Sequence, residues 1–232
     1  INETSIYCQN YSLFGFRIDQ TESDPESMIT YLSDCDNANF SPTYMDYTTD
    51  TFNYGDWTAD NGAWFMNVKP CMLRYDGTVD YYLDHNDYTK KLDGSDSDVA
   101  NVDYEGNAMI QFPKVYYKCV NINDNVADYY FSDIKLDEDY HCWSHIDANG
   151  NEIDYCYLSI FQGYYDGTRQ RSVSGTSFTG GISMDSEINR VLANNQNSDV
   201  IWHMDIFSDH QLINLLLLKS VDDLVEMESD KA

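Results

Sequence analysis

The segment DANGNEID carries the clearest set of candidate metal ligands in the sequence. It places Asp147, Asn149, Asn151 and Asp154 at alternate or near-alternate positions around Gly150. Side-chain oxygens arranged around a glycine are the ligands that Ca²⁺ prefers. However, the segment lacks the bidentate glutamate at the spacing that an EF-hand requires, and the same residues are typical of a tight type I′ hairpin turn. We therefore predict a hairpin here, with a calcium site as the alternative and no other cofactor.

Aromatic residues beside polar turns form a second candidate site. The segments NYGDWTADNGAWF and QGYYDG place Trp57, Trp64, Tyr164 and Tyr165 among Asp, Asn and Gly residues. A sugar ring presents apolar C–H faces and hydroxyl groups together, so aromatic rings next to polar side chains can bind it. Packing within a β-sheet is the favoured explanation for any single one of these residues. As a group, the four are candidates for ligand binding.

The sequence contains none of the short motifs that identify common enzyme classes. GxSxG, Walker A, GxGxxG and HExxH are all missing, and the six cysteines form neither a CxxC pair nor a Cys/His zinc pattern. Free buried thiols are expected, with disulfides as the alternative in an extracellular protein. A glycosidase needs only two carboxyl groups at a suitable separation, so a glycan-degrading depolymerase stays open as an alternative function.

The charge of the chain limits its partners. Its 232 residues include 40 acidic and 13 basic side chains, which give a formal net charge of −27 spread along the whole sequence. Such a charge repels phosphate backbones and anionic membranes, and no apolar segment reaches membrane-spanning length. We predict a highly solvated surface, no nucleic-acid partner and no membrane insertion.

Strand and turn patterns dominate the first two thirds of the chain. SLFGFRID predicts a strand, and CMLRYDGTVDYYL predicts a hairpin that turns at Asp76-Gly77. NAMIQFPKVYYKCV predicts a strand at a sheet edge or with a bulge, because it contains Pro113, and DNVADYYFSDIKL is expected to pair with it. NEIDYCYLSIF predicts a strand with one well-buried face.

Helices are predicted near the carboxyl terminus. Ser183 to Ala193 reads as a helix, and DVIWHMDIFSDHQLINLLLLK carries the densest apolar run in the chain. Ser208 and Gln211 match a capping box, so this second helix is expected to begin near Asp209 and to be packed on nearly every side. A weaker capping box predicts a short terminal helix over Val221 to Met227.

The predicted fold is α+β and strand-dominated, with two regions. The polar stretch DYTKKLDGSDSDVANVDYEGN is the expected linker or exposed loop, which places a boundary near residue 105. Residues 1–105 would form a β-rich, loop-rich amino-terminal region, and residues 106–232 would form the second domain around the apolar helix.

The order of several segments resembles a group of tailed-phage and prophage virion proteins. These segments are FGFRIDQTESDP, MITYL, NYGDW, KPCMLRYDGTVDYYLD, NDYTKK, SDVAN, GNAMIQFPKVYYK, NEIDYCYLSIFQG, the RSVSG turn of Arg171 to Gly175, and Trp202 with its Leu-rich helix. The match covers most of residues 14 to 218. The resembling proteins are tail- or fibre-associated, and their second part looks like a C-type-lectin-like fold of the formylglycine-generating-enzyme type.

The resemblance implies an abbreviated C-type-lectin-like domain over residues 106–232, built on a buried carboxy-terminal helix. In the resembling proteins a Gly/Trp-rich half with a WGN-like motif usually follows that helix, whereas VDDLVEMESDKA follows it here. The domain is therefore expected to be trimmed to a structural role or completed by strands from elsewhere. No ligand residues of the family can be carried over to this sequence.

The resulting functional expectation is a non-enzymatic phage virion protein, tail- or fibre-associated or decorating the capsid. Its partners would be other virion proteins, further copies of itself in a homo-oligomer, and a host surface glycan or protein. The depolymerase described above and a purely structural collar or head component are the alternatives.

Overall fold

The computed structural model describes residues 11–147, 149–196 and 200–218, and of residues 25, 26, 217 and 218 only the backbone. Within them the fold is strand-dominated and α+β, as predicted. The strands are β1 (Leu13–Asp19), β2 (Ile29–Tyr31), β3 (Tyr44–Asp46), β4 (Thr51–Asn53), β5 (Lys69–Arg74), β6 (Val79–Tyr82), β7 (Gly106–Pro113), β8 (Tyr116–Asn123), β9 (Val126–Ser132), β10 (Tyr155–Ser159), β11 (Tyr164–Tyr165) and β12 (Gln170–Arg171). The helices are α1 (Pro25–Met28), α2 (Met184–Leu192) and α3 (Phe207–Leu218), with 3₁₀ turns at Ala59–Asn61, Trp64–Met66 and Trp143–His145.

The described residues fall into two compact units that each draw on separate stretches of the chain. Unit 1 is drawn from Ile1–Met66, Val115–Trp143 and Gln211–Ala232, and unit 2 from Asn67–Lys114 and Ser144–His210. The predicted boundary near residue 105 does not coincide with this division. The reason is strand pairing: β7, which begins at Gly106, pairs along the whole of β5, so the stretch around residue 105 connects two strands of one sheet.

Unit 1 contains an antiparallel sheet in the order β2-β1-β9-β8 and a separate β3-β4 hairpin. The predicted strand SLFGFRID is β1, and its alternation places Phe14 and Phe16 on one face. Both rings are buried, and they contact Phe65 and Phe131 with centroid separations of 5.3 and 5.8 Å respectively. An aromatic core therefore holds this unit together.

Unit 2 contains an antiparallel sheet in the order β10-β7-β5-β6. Cys71 and Leu73 of β5 pack in one apolar cluster with Trp202, while the intervening Met72 packs in another with Leu83. The sheet therefore buries side chains on both faces. The Trp202 indole Nε1 also donates a hydrogen bond to the Tyr75 carbonyl at 3.0 Å, which connects the segment before α3 to the end of β5.

Two predicted strand features are corrected by the sheet. Pro113 lies on an interior strand, not at an edge or bulge. It is the last residue of β7 and lies beyond the end of the pairing with β5, so the backbone N–H that proline lacks is not needed for a hydrogen bond to β5. The run NAMIQFPKVYYKCV is divided there into β7 and β8, and the predicted partner strand, β9, pairs with β8. β10 has no fully buried face, because all five of its residues, Tyr155–Ser159, are exposed or only partly buried.

Both predicted hairpin turns form, with a different geometry from the two-residue turn expected. At Asp76-Gly77 the Arg74 amide donates to the Thr78 carbonyl, so the loop has three residues and only Gly77 has positive φ, at 85°. Gly150 has the same left-handed φ of 85°, whereas Asn149 does not. A type I turn closed by a left-handed glycine explains the loop at Asp76-Gly77, because it needs positive φ at one position only.

Helix α2 matches its prediction, and Ser183 is its N-cap. Helix α3 begins at Phe207, two residues before the predicted start, and Ser208 lies within its first turn. The predicted capping box is replaced by Asp209, whose carboxylate accepts a hydrogen bond from the Ile206 amide at 3.1 Å. A carboxylate suits this position because it faces the free amides and the positive end of the helix dipole.

The prediction that α3 is packed on nearly every side is also corrected. Leu212 and Leu215 are buried, whereas Ile213 is exposed and Phe207 is 81% exposed. Apolar side chains of α3 therefore stay exposed among the residues that the structure describes. The predicted terminal helix over Val221 to Met227 lies outside the described residues. Among the helices that are described, none combines the length and apolar character needed to span a membrane.

Five of the six cysteines lie in the described part of the chain, and none of these five forms a disulfide. Cys35, Cys71 and Cys142 are buried, as expected for structural thiols. Burial raises the pKa of Cys71 to about 12, so this thiol stays protonated at neutral pH.

Repeated Asp-x-Thr/Ser turns make the stability of the fold depend on pH in the acidic range. The carboxylates of Asp76 and Asp87 accept hydrogen bonds from the hydroxyl groups of Thr78 and Thr89, both at 2.6 Å, and from the backbone amides of the same residues. These bonds favour the charged form and lower the pKa of both carboxyls. Their contribution is therefore present above the unfolded pKa of about 3.9 and lost as pH falls through the lower folded values.

We expect the Asp76→Asn/Asp87→Asn variant to be less stable than the wild type at pH 7, and the difference to shrink below about pH 4. Urea unfolding from neutral to acidic pH, in high salt to screen the net charge, measures this difference. A difference that is independent of pH would contradict the assignment.

Candidate functional site

The β3-β4 hairpin of unit 1 exposes four aromatic side chains within eleven residues. The exposed fractions are 50% for Tyr44, 59% for Tyr47, 46% for Phe52 and 55% for Tyr54. Single exposed apolar residues are ordinary, but contiguous exposed rings mark interaction sites. We call residues Tyr44 to Tyr54 the aromatic hairpin.

One face of the aromatic hairpin places polar groups beside a ring. Tyr44 pairs with Asn53 and Asp46 pairs with Thr51, so these four side chains share a face. The Asn53 amide Nδ2 donates to the Tyr44 hydroxyl at 2.9 Å. An aromatic face, an amide, a carboxylate and hydroxyl groups are thus gathered on one exposed surface.

The opposite face carries a pair of rings. Phe52 pairs with Met45, and its ring meets that of Tyr54 edge to face at a centroid separation of 5.0 Å. The Gly55 amide donates to the Asn53 side-chain oxygen at 2.8 Å, which fixes the chain just after Tyr54. Both faces of the hairpin can therefore contact a ligand.

Trp57, one of the four aromatic residues selected from the sequence, is part of the core of unit 1. It is only 1% exposed, and its Nε1 donates to the Tyr31 hydroxyl at 3.0 Å. The rings of Phe40 and Phe14 lie at 5.2 and 5.8 Å. Trp57 is thus a core residue that does not offer its own face to a ligand.

The remaining three aromatic candidates are half-buried. Trp64 packs against Phe65 at 4.7 Å in unit 1. Tyr164 and Tyr165 form β11 in unit 2, and the Arg190 guanidinium lies 3.7 Å above the centre of the Tyr165 ring. One ring of this pair is therefore already occupied by a cation–π contact.

Sequence reasoning missed Tyr44, Tyr47, Phe52 and Tyr54 and selected their neighbour Trp57. The signal that could have found them is the run of Asp, Thr and Asn residues between Tyr44 and Tyr54, because a segment so rich in polar side chains is expected at the protein surface.

The carboxylate of Asp147 accepts hydrogen bonds from residues of its own turn. One carboxylate oxygen accepts hydrogen bonds from the amides of Asn149 and Asn151 at 2.9 and 2.8 Å, and the other accepts from the Asn151 side chain at 3.1 Å. These hydrogen bonds, led by that from the Asn151 amide, lower the pKa of Asp147. Asp154 instead lies 3.3 Å from the Lys114 ammonium. The arrangement matches the favoured hairpin, and within the described ranges no three His, Cys, Asp or Glu residues are grouped to hold a metal.

We accordingly expect calcium to leave the stability of the protein unchanged. A site saturated at 100 times its Kd would raise the free energy of unfolding by about 2.7 kcal/mol. Thermal unfolding in millimolar Ca²⁺, with Mg²⁺ and EDTA as controls, measures the effect. A rise with Ca²⁺ that Mg²⁺ does not reproduce, and that Asp147→Asn removes, would establish the calcium alternative.

Unit 2 contains a cleft of about 860 Å³. Its walls include β10, the segment from Val200 to Ile206, and Asn194 at the end of α2. Asn194 is buried; its Nδ2 donates to the carbonyls of Gln170 and Val191, while its Oδ1 accepts no hydrogen bond from the described residues. A volume of this size lies within the range of ligand pockets.

Arg171, the first residue of the RSVSG turn, has a structural role in unit 2. It is buried, and its guanidinium donates to the carbonyls of Tyr104 and Gly106 at 2.6 and 2.8 Å. It also donates to the Val102 carbonyl and the Asp166 carboxylate, both at 3.2 Å. Its hydrogen bonds thus join β12 to the chain that leads into β7.

The charged states of the carboxyl groups bear on hydrolysis. Glycosidases need one carboxyl group whose pKa is raised so that it can act as an acid. Among the described Asp and Glu residues, each pKa that departs from its ordinary value is lowered. Asp166 is an example. Burial acts to raise its pKa, but the amides of Arg169 and Thr168 and the Arg171 side chain bind its charged form, so the pKa is lowered. Burial raises the pKa of Cys156, in the cleft, to about 12, which disfavours a nucleophilic thiolate.

Comparisons of the chain with protein-family models, with curated proteins and with solved structures find no match.

Proposed function

We propose that this chain is a non-enzymatic structural protein of a tailed-phage particle, and that its aromatic hairpin attaches to neutral carbohydrate on a host surface. The observation that carries the attachment role is the exposure of Tyr44, Tyr47, Phe52 and Tyr54 on one short hairpin. Rings of this kind stack on the C–H faces of sugars, and the neighbouring Asp46 and Asn53 can bind hydroxyl groups. The net charge of −27 favours neutral over anionic glycans.

The place in the virion, tail- or fibre-associated or on the capsid, rests on the order of the segments that resemble phage proteins. The finer fold assignment, an abbreviated C-type-lectin-like domain, belongs to the same proposal. Exposed apolar side chains at Ile206 and Phe207 support contacts with other virion proteins or with further copies of the chain. The lowered carboxyl pKa values support binding over hydrolysis.

Glycan-array binding tests the attachment role. We expect saturable binding to a neutral glycan, and we expect Tyr44→Ala and Tyr54→Ala each to weaken it about tenfold, as the loss of one stacked ring implies. Tyr11→Ala is the matched control, because Tyr11 lies in the same unit, is 46% exposed and is not part of the aromatic hairpin.

Separate outcomes distinguish the alternatives. Release of free sugar by the wild-type protein would support a depolymerase instead. Silence across the array, from a folded sample that assembles with virion proteins, would support a purely structural collar or head component. If Tyr11→Ala weakened glycan binding as much as Tyr44→Ala and Tyr54→Ala do, the aromatic hairpin would not be the binding site.

A further inference from the structure

We propose that the cleft of unit 2 binds an extended, basic peptide segment of a partner protein, which adds as a strand to the outer edge of β10. This site is independent of the aromatic hairpin and of carbohydrate binding.

The first argument is the hydrogen bonding of β10. Among the described strands, β10 pairs only with β7. The carbonyl of Asp154 accepts from the Lys114 amide at 2.9 Å, and the amide of Ile160 donates to the Ala108 carbonyl at 3.2 Å. These bonds fix which residues of β10 face β7, because hydrogen-bonded and non-hydrogen-bonded pairs alternate in an antiparallel ladder.

The alternation leaves one set of backbone groups directed away from the sheet. Cys156 and Leu158 exchange their backbone hydrogen bonds with β7, in step with Asp154 and Ile160. The N–H and C=O groups of Tyr155, Tyr157 and Ser159 therefore point outward, and we call them the outer-edge groups. An unpaired strand edge is a template for another strand.

The second argument is that the cleft follows this edge. Consecutive residues from Ile153 to Ser159 line it, so the cleft borders β10 along the whole strand. The segment from Val200 to Ile206, which has no helix or strand of its own, also lines the cleft. A slot along a strand edge suits an extended peptide, whose backbone offers N–H and C=O groups at the same spacing.

The third argument is charge. The cleft is lined by Glu187 and Asp205, and neither is ion-paired among the residues that the structure describes. Its lining cation, Arg171, is buried and already bonded to backbone carbonyls. The walls therefore favour Lys or Arg on the occupant. A second copy of this chain is a poor occupant, because each copy carries a net charge of −27.

The test uses a labelled synthetic peptide of alternating Lys and Val, about nine residues long, which at 3.3–3.4 Å per residue exceeds the length of β10. Fluorescence anisotropy is expected to detect saturable binding that weakens with salt. Two matched peptides are expected to bind at least about tenfold more weakly: one with Glu in place of Lys, and one with alternate backbone amides N-methylated, which removes donors but keeps the charge.

Amide hydrogen exchange provides a readout specific to strand addition. On peptide binding, the amides of Tyr155, Tyr157 and Ser159 are expected to become at least about tenfold better protected, while those of Cys156 and Leu158, already bonded to β7, change little. Binding by charge alone does not produce this alternation.

Ser159 offers a matched pair of variants. Ser159→Pro removes an outer-edge donor, whereas Ser159→Ala keeps it, so we expect the first to weaken peptide binding about fivefold to tenfold and the second to leave it unchanged. Glu187→Gln and Asp205→Asn should reduce both the affinity and its salt dependence.

The proposal would be overturned by equal binding of the N-methylated peptide, by equal binding of the Glu peptide, or by protection without the alternating pattern. Because the peptide controls use the wild-type protein, they decide the question even if Ser159→Pro fails to fold. Displacement of the Lys peptide by a neutral oligosaccharide at lower concentration would also count against a peptide site.

Discussion

Replacing Arg171 with methionine is expected to lower the free energy of unfolding of unit 2 by about 3–5 kcal/mol. Methionine fills a similar length but offers no hydrogen-bond donor. The carbonyls of Tyr104, Gly106 and Val102 would each lose the guanidinium donor, and Asp166 would lose its cationic partner. Buried acceptors that lose their donors carry the full desolvation penalty.

Arg171→Lys should recover only part of this loss, because an ammonium group cannot reproduce the planar fork of donors. Arg74→Lys is the matched control: Arg74 lies in the same unit, is partly exposed and contacts Asp80 at 2.9 Å, so we expect a change below about 1 kcal/mol. Urea unfolding followed by circular dichroism measures all three variants. A loss in Arg171→Met no larger than that in Arg74→Lys would contradict the structural role of the buried guanidinium.

Replacing Trp57 with alanine is expected to lower the free energy of unfolding of unit 1 by about 3–5 kcal/mol. The side chain is enclosed by Phe14, Phe40, Phe65 and Tyr31, so its removal would leave a cavity and take away the hydrogen bond that Trp57 donates to the Tyr31 hydroxyl. Carbohydrate binding by this variant should fall only in proportion to the amount of unfolded protein, because the Trp57 ring does not contact a ligand.

Tyr54→Ala is the matched control for this prediction, since Tyr54 lies three residues earlier and is exposed. It should change stability by less than about 0.5 kcal/mol while weakening glycan binding. Chemical unfolding and binding measured on the same samples separate the two roles. A stable Trp57→Ala protein that had lost binding would instead make Trp57 a ligand contact, as the sequence pattern allowed.

The strand content was predictable because local physics determines it. Alternating apolar residues in SLFGFRID give β1, and Asp-Gly and Asn-Gly place two turns correctly, since a glycine accepts positive φ wherever the chain reverses. Ser183 begins α2 because a side-chain oxygen at that position binds a free helix amide. These signals lie within a few residues of the structure that they produce.

The division into units depended on pairing between distant residues. β5 and β7 are separated by a long polar stretch that resembles a linker, yet they are adjacent strands of one sheet. No local signal near residue 105 records that pairing. Likewise, Pro113 is tolerated on an interior strand because the pairing of β7 with β5 ends before it, and no residue near Pro113 in the sequence records that.

Residue types and their spacing establish that this chain is acidic, strand-rich and aromatic, with a turn at Asp147 and an apolar helix after Trp202. Long-range packing, by contrast, sets that Trp57 is enclosed while Tyr44, Phe52 and Tyr54 are exposed, and that β10 borders a cleft. The physical reason is that residue type sets how favourable burial would be, whereas exposure depends on which distant segments cover a side chain or pair with a strand.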